Sequence, residues 1–293
     1  MRVGVVGRGK WGTNIVRTLA AMRDVEVLDE SKNIDLVLRQ RPDGVLIATP
    51  SATHAEVAIP FIEAGVPTFI EKPMATTVAD AVRIHQAALR SGAPVVVGHV
   101  QLHNPAFQAA KKLLPEVDTV QAVFWEGMNH QPRTDSSVLW DWLPHGLSMA
   151  RALFDANPTC AQAWGAGEPS RYTSAIARFV IGDVPFFATA SWTSPVKRHR
   201  MTVMGEQNAL IFDDTAERKL SLHNSGGTSY PAYGDEPPLT GELRAFIGAL
   251  EAGAVDTTPL ESEVAIVRAI GAAEESARND GRLVAIDESF ATD

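Results

Sequence analysis

Four short stretches hold residue types that can do chemistry together. The first, Gly7-Arg8-Gly9-Lys10-Trp11-Gly12, has the spacing of a turn that seats a pyrophosphate. Its first glycine permits a tight turn, the second lets the backbone approach an anion, and the third lets a helix close on a strand. The others are Thr49-Pro50-Ser51-Ala52-Thr53-His54, Glu71-Lys72-Pro73 and Asp141-Trp142-Leu143-Pro144-His145. Taken singly they are ambiguous. A lysine beside a glutamate at a strand end is usually a solvated pair, and a histidine ahead of an apolar helix is often a cap or a satisfied core residue. A six-residue glycine pattern gains weight only between a strand and a helix.

The elements that must carry these residues are legible from periodicity. Short β-branched runs at 3–6, 25–28, 45–48, 68–70 and 95–97 alternate with helical spacing at 13–22, 34–40, 54–64 and 78–91. Continuous Val/Ile runs mark strands buried on both faces, and strand–helix alternation marks a parallel sheet covered by helices. The glycine turn then lies where a strand feeds a helix, and the next two stretches follow strands, where open α/β sheets bind ligands. After Asn104-Pro105, an N-cap followed by proline at the first helical position, the texture changes. A helix at 106–114 leads to a strand at 119–125, a polar stretch at 127–137 and a helix at 139–154. Longer alternating strands follow at 161–165, 172–181, 185–194, 200–205 and 209–213, a pattern of an antiparallel sheet. Residues 224–238 read as a loop, and helices at 239–252 and 262–280 close the chain. The expected fold is α/β: a Rossmann-type parallel sheet over 1–100, then an α+β domain over 101–293 with a large, mostly antiparallel sheet.

The dinucleotide fingerprint calls for an acid about 20 residues past the first glycine, bonding the adenosine ribose. Asp29 stands 22 residues after Gly7, but the next strand already begins near Val45. No further helix and strand fit between them, so the sheet should lack one edge strand. Asp29 either closes on the ribose, which favours NAD, or is a plain turn residue; Arg8 and Lys10 keep NADP open.

In order and spacing, the GxGxxG turn, the TPxxxH loop, the EKP triplet and the DxxxH pair resemble the Gfo/Idh/MocA family of NAD(P)-dependent sugar and polyol dehydrogenases. The likeness runs on into Met201–Glu206 and Leu210–Asp213. It implies hydride transfer between a secondary hydroxyl of a sugar, polyol or nucleotide sugar and NAD or NADP, with no metal. It implies that Gly7, Gly9, Lys10, Trp11, Gly12, Asp29, Thr49, Pro50, Ser51, His54, Glu71, Lys72 and Pro73 hold the cofactor. Lys72 would bond the reacting oxygen, and His145 would be the general acid/base, a task suited to an imidazole whose ordinary pKa is about 6.5. Asp141, four residues earlier and on the same helical face, would orient the imidazole or bond a sugar hydroxyl. His99 and Arg133 complete the expected substrate set, Arg133 being either a fork for a carboxylate or phosphate or a solvated loop residue. His85 and His223 read as surface residues. The sequence departs from the family where Gly146 follows the histidine in place of an aspartate and where Ser148 replaces a frequent acid; both bear on substrate identity.

The 293 residues, at roughly 150 per domain, suffice for two domains. With a net charge of −9 and no Lys/Arg run, nucleic acid and anionic membranes are excluded as partners. A single cysteine, Cys160, excludes an internal disulfide and suits a reducing cytoplasm. One face of the second sheet needs cover, so a homo-oligomer through that sheet is expected. A non-catalytic NAD(P)-binding regulator on the same fold is the alternative, but it has no need of Lys72, Asp141 and His145.

Overall fold

The computed structural model describes residues 1–28, 33–134, 136–253 and 259–287. The chain forms two compact units, Met1–Val100 with Pro237–Val267 and Gln101–Glu236 with Arg268–Asp293.

The first unit is built on strands β1 (Arg2–Val6), β2 (Glu26–Leu28), β3 (Gly44–Ile47), β4 (Thr68–Glu71) and β5 (Val95–Gly98), interleaved with helices α1 (Lys10–Ala20), α2 (Ile34–Arg39), α3 (His54–Glu63) and α4 (Val78–Ser91). The strands are all parallel, in the order β2-β1-β3-β4-β5. Every residue of β3 and β4 is buried, as strands covered on both faces require. Among the described residues only the six-residue α2 stands between β2 and β3, and the sheet they form has five strands, without the edge strand of a six-stranded dinucleotide sheet, as the short spacing predicts. Local chemistry sets the helix ends. The Thr77 hydroxyl accepts from the Asp80 amide at the start of α4, and Gly92, at φ 69°, closes it in the left-handed conformation.

The second unit comprises α5 (Pro105–Leu113), β6 (Ala122–Met128), α6 (Val138–Phe154), β7 (Pro158–Glu168), β8 (Arg171–Ile181), β9 (Val184–Ser191), β10 (Arg198–Met204), β11 (Ala209–Asp213), β12 (Leu220–Asn224), β13 (Gly227–Ser229) and β14 (Val284–Ala285). Nine strands form one sheet in the order β13-β12-β11-β10-β6-β9-β8-β7-β14. All its pairings are antiparallel except β6 with β9. Asn104 caps α5 as its sequence suggests, accepting from the Ala106 amide with Pro105 at the first helical position. The segment 224–238, expected to be loop throughout, instead begins with the edge strand β13. Gly227, at φ 124°, turns the chain back so that Asn224, His223 and Leu222 pair with residues 227–229.

Helices α7 (Pro238–Glu251) and α8 (Leu260–Arg278) close the fold. All of α7 belongs to the first unit, where Leu243, Phe246 and Ile247 join Val3, Val5, Ile15, Leu19, Leu46 and Phe69 in one core. Gly44 marks how closely helix and sheet approach, since a Cβ there would stand 2.7 Å from Leu250.

Candidate active site

The turn between β1 and α1 is shaped for an anion. A Cβ on Gly7, at φ 104°, would stand 2.4 Å from the Ala48 carbonyl oxygen, and one on Gly12 would stand 2.0 Å from the Gly7 oxygen. Both positions therefore admit only glycine. Gly9 differs: nothing lies within 4 Å of its Cβ position, so the backbone there faces open space. Gly9 is also the N-cap of α1 and supplies no side-chain cap, so the amides of the first turn point outward with no side chain on them. That is the arrangement a pyrophosphate fits. Arg8 and Lys10 are exposed beside it. Asp29 lies outside the described residues.

Two loops follow at the carboxyl ends of β3 and β4. His54 ties them together: its Nδ1 lies 2.9 Å from the Pro73 carbonyl oxygen and its Nε2 lies 3.0 Å from that of Thr49. Burial lowers its pKa, against the two carbonyls, which favour the cation. At 1% exposure His54 is a fastener between the loops and not a surface for a ligand. Thr49 is further held by a hydrogen bond from the Thr53 hydroxyl, 2.9 Å long. Glu71 ends β4 almost wholly buried and accepts a hydrogen bond from the indole N–H of Trp11, itself 37% exposed on α1. The EKP triplet is thereby anchored to the glycine turn. Lys72, half-buried, follows Glu71 directly, and its peptide bond to Pro73 is cis.

In the second unit, α6 carries Asp141 and His145 one turn apart, both half-buried. The Ser137 hydroxyl caps this helix by accepting from the Leu139 amide. Asp141 is fixed from two sides: Trp192 Nε1 donates to Oδ2 at 3.0 Å, and Arg133 Nη1 lies 3.5 Å from Oδ1. Arg133 thus faces a carboxylate supplied by the protein itself. His145 sits among rings, with centroids 5.9 Å from Trp142 and 5.7 Å from His199. A Cβ at Gly146 would stand 2.7 Å from Trp125, which explains why no aspartate follows this histidine.

Other expected residues stand differently. His99 was expected at the substrate, but it is 4% exposed and its Nε2 lies 2.8 Å from Glu263 Oε2, the geometry of an internal support. His85 is buried too, not on the surface, with Nε2 3.1 Å from Glu261. Sequence reasoning missed His199, Asp214, Trp192 and Glu242. His199 is 5% exposed and its Nδ1 lies 3.9 Å from Asp214. Asp214 accepts from Asn104 Nδ2 at 2.9 Å and from Lys219 Nζ at 2.8 Å. Burial pushes its carboxyl up, but the neighbouring His199 ring and the Lys219 ammonium outweigh burial and hold it well below the usual carboxylate range. Strand alternation put His199 on the inner face of β10; nothing local marked its partners.

A glycine cradle at the carboxyl edge of a parallel sheet, followed by an anchored lysine, defines a dinucleotide-binding protein of the two-unit α/β type. The family model for the Gfo/Idh/MocA oxidoreductases, described as an oxidoreductase family with an NAD-binding Rossmann fold, matches residues 18–99. A solved structure from Magnetospirillum magnetotacticum MS-1 is 30% identical, covers 93% of this chain and 99% of its own, and has a TM-score of 0.82. Inositol 2-dehydrogenase 1 of Saccharopolyspora erythraea is 32% identical over 138 residues, 39% of this chain and 41% of that protein. Inositol 2-dehydrogenase of Paracoccus denitrificans is 29% identical over 184 residues, 53% of this chain and 54% of that protein. The match thus spans about half the length of such curated relatives. The chain belongs to the Gfo/Idh/MocA oxidoreductase family, and its first unit is an NAD-binding Rossmann domain. Among the described residues, no helix is long and apolar enough to cross a membrane.

Proposed function

We propose that the protein is an NAD(P)-dependent dehydrogenase acting on a secondary hydroxyl of a sugar, polyol or nucleotide sugar. The observation that carries this reading lies within the first unit: an open cradle at Gly9 and, on the same sheet edge, Lys72 held by the Glu71–Trp11 bond. Residues 1–100, with Pro237–Val267 of the same unit, would hold the cofactor, and the rest of 101–293 the substrate. A bound nicotinamide would supply the acceptor for the hydride of the carbinol carbon. Gly7, Gly9, Gly12 and the α1 amides bind the pyrophosphate, while Trp11, Thr49, Pro50 and Ser51 border the cofactor. Lys72 donates a hydrogen bond to the reacting oxygen and stabilises the charge that grows there. His145 takes the hydroxyl proton, leaving a carbonyl product, and Asp141, set by Trp192, positions a substrate hydroxyl. NAD is favoured over NADP on the strength of Asp29. The relatives named inositol 2-dehydrogenase support a polyol-like substrate.

The single cysteine supports a cytoplasmic setting. Phe124, Ile176 and Met204, 42%, 57% and 42% exposed on the open face of the second sheet, support a homo-oligomer through that face.

Replacing Lys72 or His145 by alanine should each lower turnover by about 10²–10⁴-fold on a substrate found by polyol and sugar screening. Normal turnover in both variants overturns the assignment.

A further inference from the structure

The first unit contains a pair of buried acids that the reaction above does not use. Phe69 and Glu71 are two residues apart on β4 and share one face of the sheet, while Glu242 and Phe246 are four apart on α7 and share one face of the helix. The Phe69 and Phe246 rings meet edge to face with centroids 5.6 Å apart, and this contact sets Glu71 alongside Glu242. On the neighbouring strand β5, a Cβ at Gly98 would stand 2.4 Å from the Phe69 ring and 3.4 Å from Glu71 Oε1, so glycine keeps the space open. Glu242 is 2% exposed, and neither of its carboxyl oxygens has a hydrogen-bond partner among the described residues. Glu71 has one in Trp11. The other ionisable groups nearby are Lys72, next to Glu71, and His99 after β5, whose ring is engaged by Glu263 of α8. Two adjacent buried carboxylates, one with no donor, cannot both stay ionised without a large desolvation cost.

We propose that Glu242 is a positioning residue that holds the proton of a buried Glu71–Glu242 carboxyl pair, so that Glu71 keeps the negative charge that fixes Trp11 and faces Lys72. The asymmetry follows from the neighbours. Burial, then the charge of Glu71, push the Glu242 carboxyl well above its ordinary range, offset only by the nearby His99 amide. Burial also pushes Glu71 up, but Trp11, Lys72 and His99 restrain it to about 7. Below that pH the pair is neutral and the Trp11 bond loses its charged acceptor. The link to cofactor binding rests on the dehydrogenase reading; the proton on Glu242 does not.

The test uses the full chain without cofactor. At pH 8 the infrared spectrum of the wild type should show the carbonyl stretch of a protonated carboxylic acid, and Glu242→Gln should lose it. Trp11 emission, isolated by subtracting Trp11→Phe, should titrate near pH 7. Glu242→Gln, which mimics the protonated acid, should keep that midpoint; Glu242→Leu, which puts an apolar side chain in place of the polar group beside Glu71, should raise it by about one unit, a tenfold change in proton affinity. A residue that merely fills space would not separate glutamine from leucine. Absence of the band in the wild type, its persistence in Glu242→Gln, or identical midpoints for the two variants overturns the proposal. The wild-type spectrum alone decides if the variants do not fold. An NADH titration at pH 6 and pH 8 examines the cofactor link separately: binding should be tighter at pH 8, and no binding at either pH contradicts the dehydrogenase reading while the infrared result still judges the pair.

Discussion

Asp214 in the second unit and Glu242 in the first are both acids drawn out of water, and they end in opposite charge states. Asp214 is met by Asn104, Lys219 and His199, so its ionised form is favoured. Glu242, almost wholly buried, has another carboxyl beside it and only the nearby His99 amide to favour its charge, so its proton is retained. Burial acts on both in the same direction; the donors decide. The contrast separates an acid that welds strands together from one that sets the charge of a loop.

The largest effect expected from breaking this contrast is at Asp214. Asp214→Ala leaves Lys219 and Asn104 without their shared acceptor in a mostly buried place, and should cost about 3 kcal/mol in urea denaturation at pH 7. A loss within experimental error would show that the cluster is only a surface network. The sign also differs with pH. A carboxyl held low in the native state, like Asp214, adds stability that is present above its ordinary range and is lost as acid drives it through the native value. Carboxyls held high, like Glu71 and Glu242, add stability present below their ordinary range and lost as pH rises toward about 7 for Glu71 and beyond for Glu242.

Glu242→Gln sharpens the comparison with a smaller change. It should raise stability at pH 8, where the wild type must keep an acid neutral that would ionise on unfolding, and by much less at pH 4.5. Thermal melts of both proteins at the two pH values give the answer; an equal difference at both would mean that the carboxyl's charge plays no part.

The first sheet was readable because its strands are short, mostly apolar runs and because Gly7 and Gly12 of the turn answer local steric demands. Asp141 and His145 were readable as a pair because helical spacing alone puts them on one face. The rest depended on tertiary partners. His199 and Asp214 lie 15 residues apart with strand β11 between, and Glu71 meets a helix residue 171 positions further on. His85 and His99 look like ordinary polar positions until Glu261 and Glu263 of α8 fold against them. The edge strands β13 and β14, three and two residues long, are too short to show a period.

The central claim is that the cradle at Gly7–Gly12 holds a nicotinamide dinucleotide, and titration of the purified protein with NADH and NADPH, followed by tryptophan-to-nicotinamide energy transfer, addresses it most directly. The account predicts saturable binding at micromolar NADH, with NADPH weaker. Failure of both to bind would contradict it.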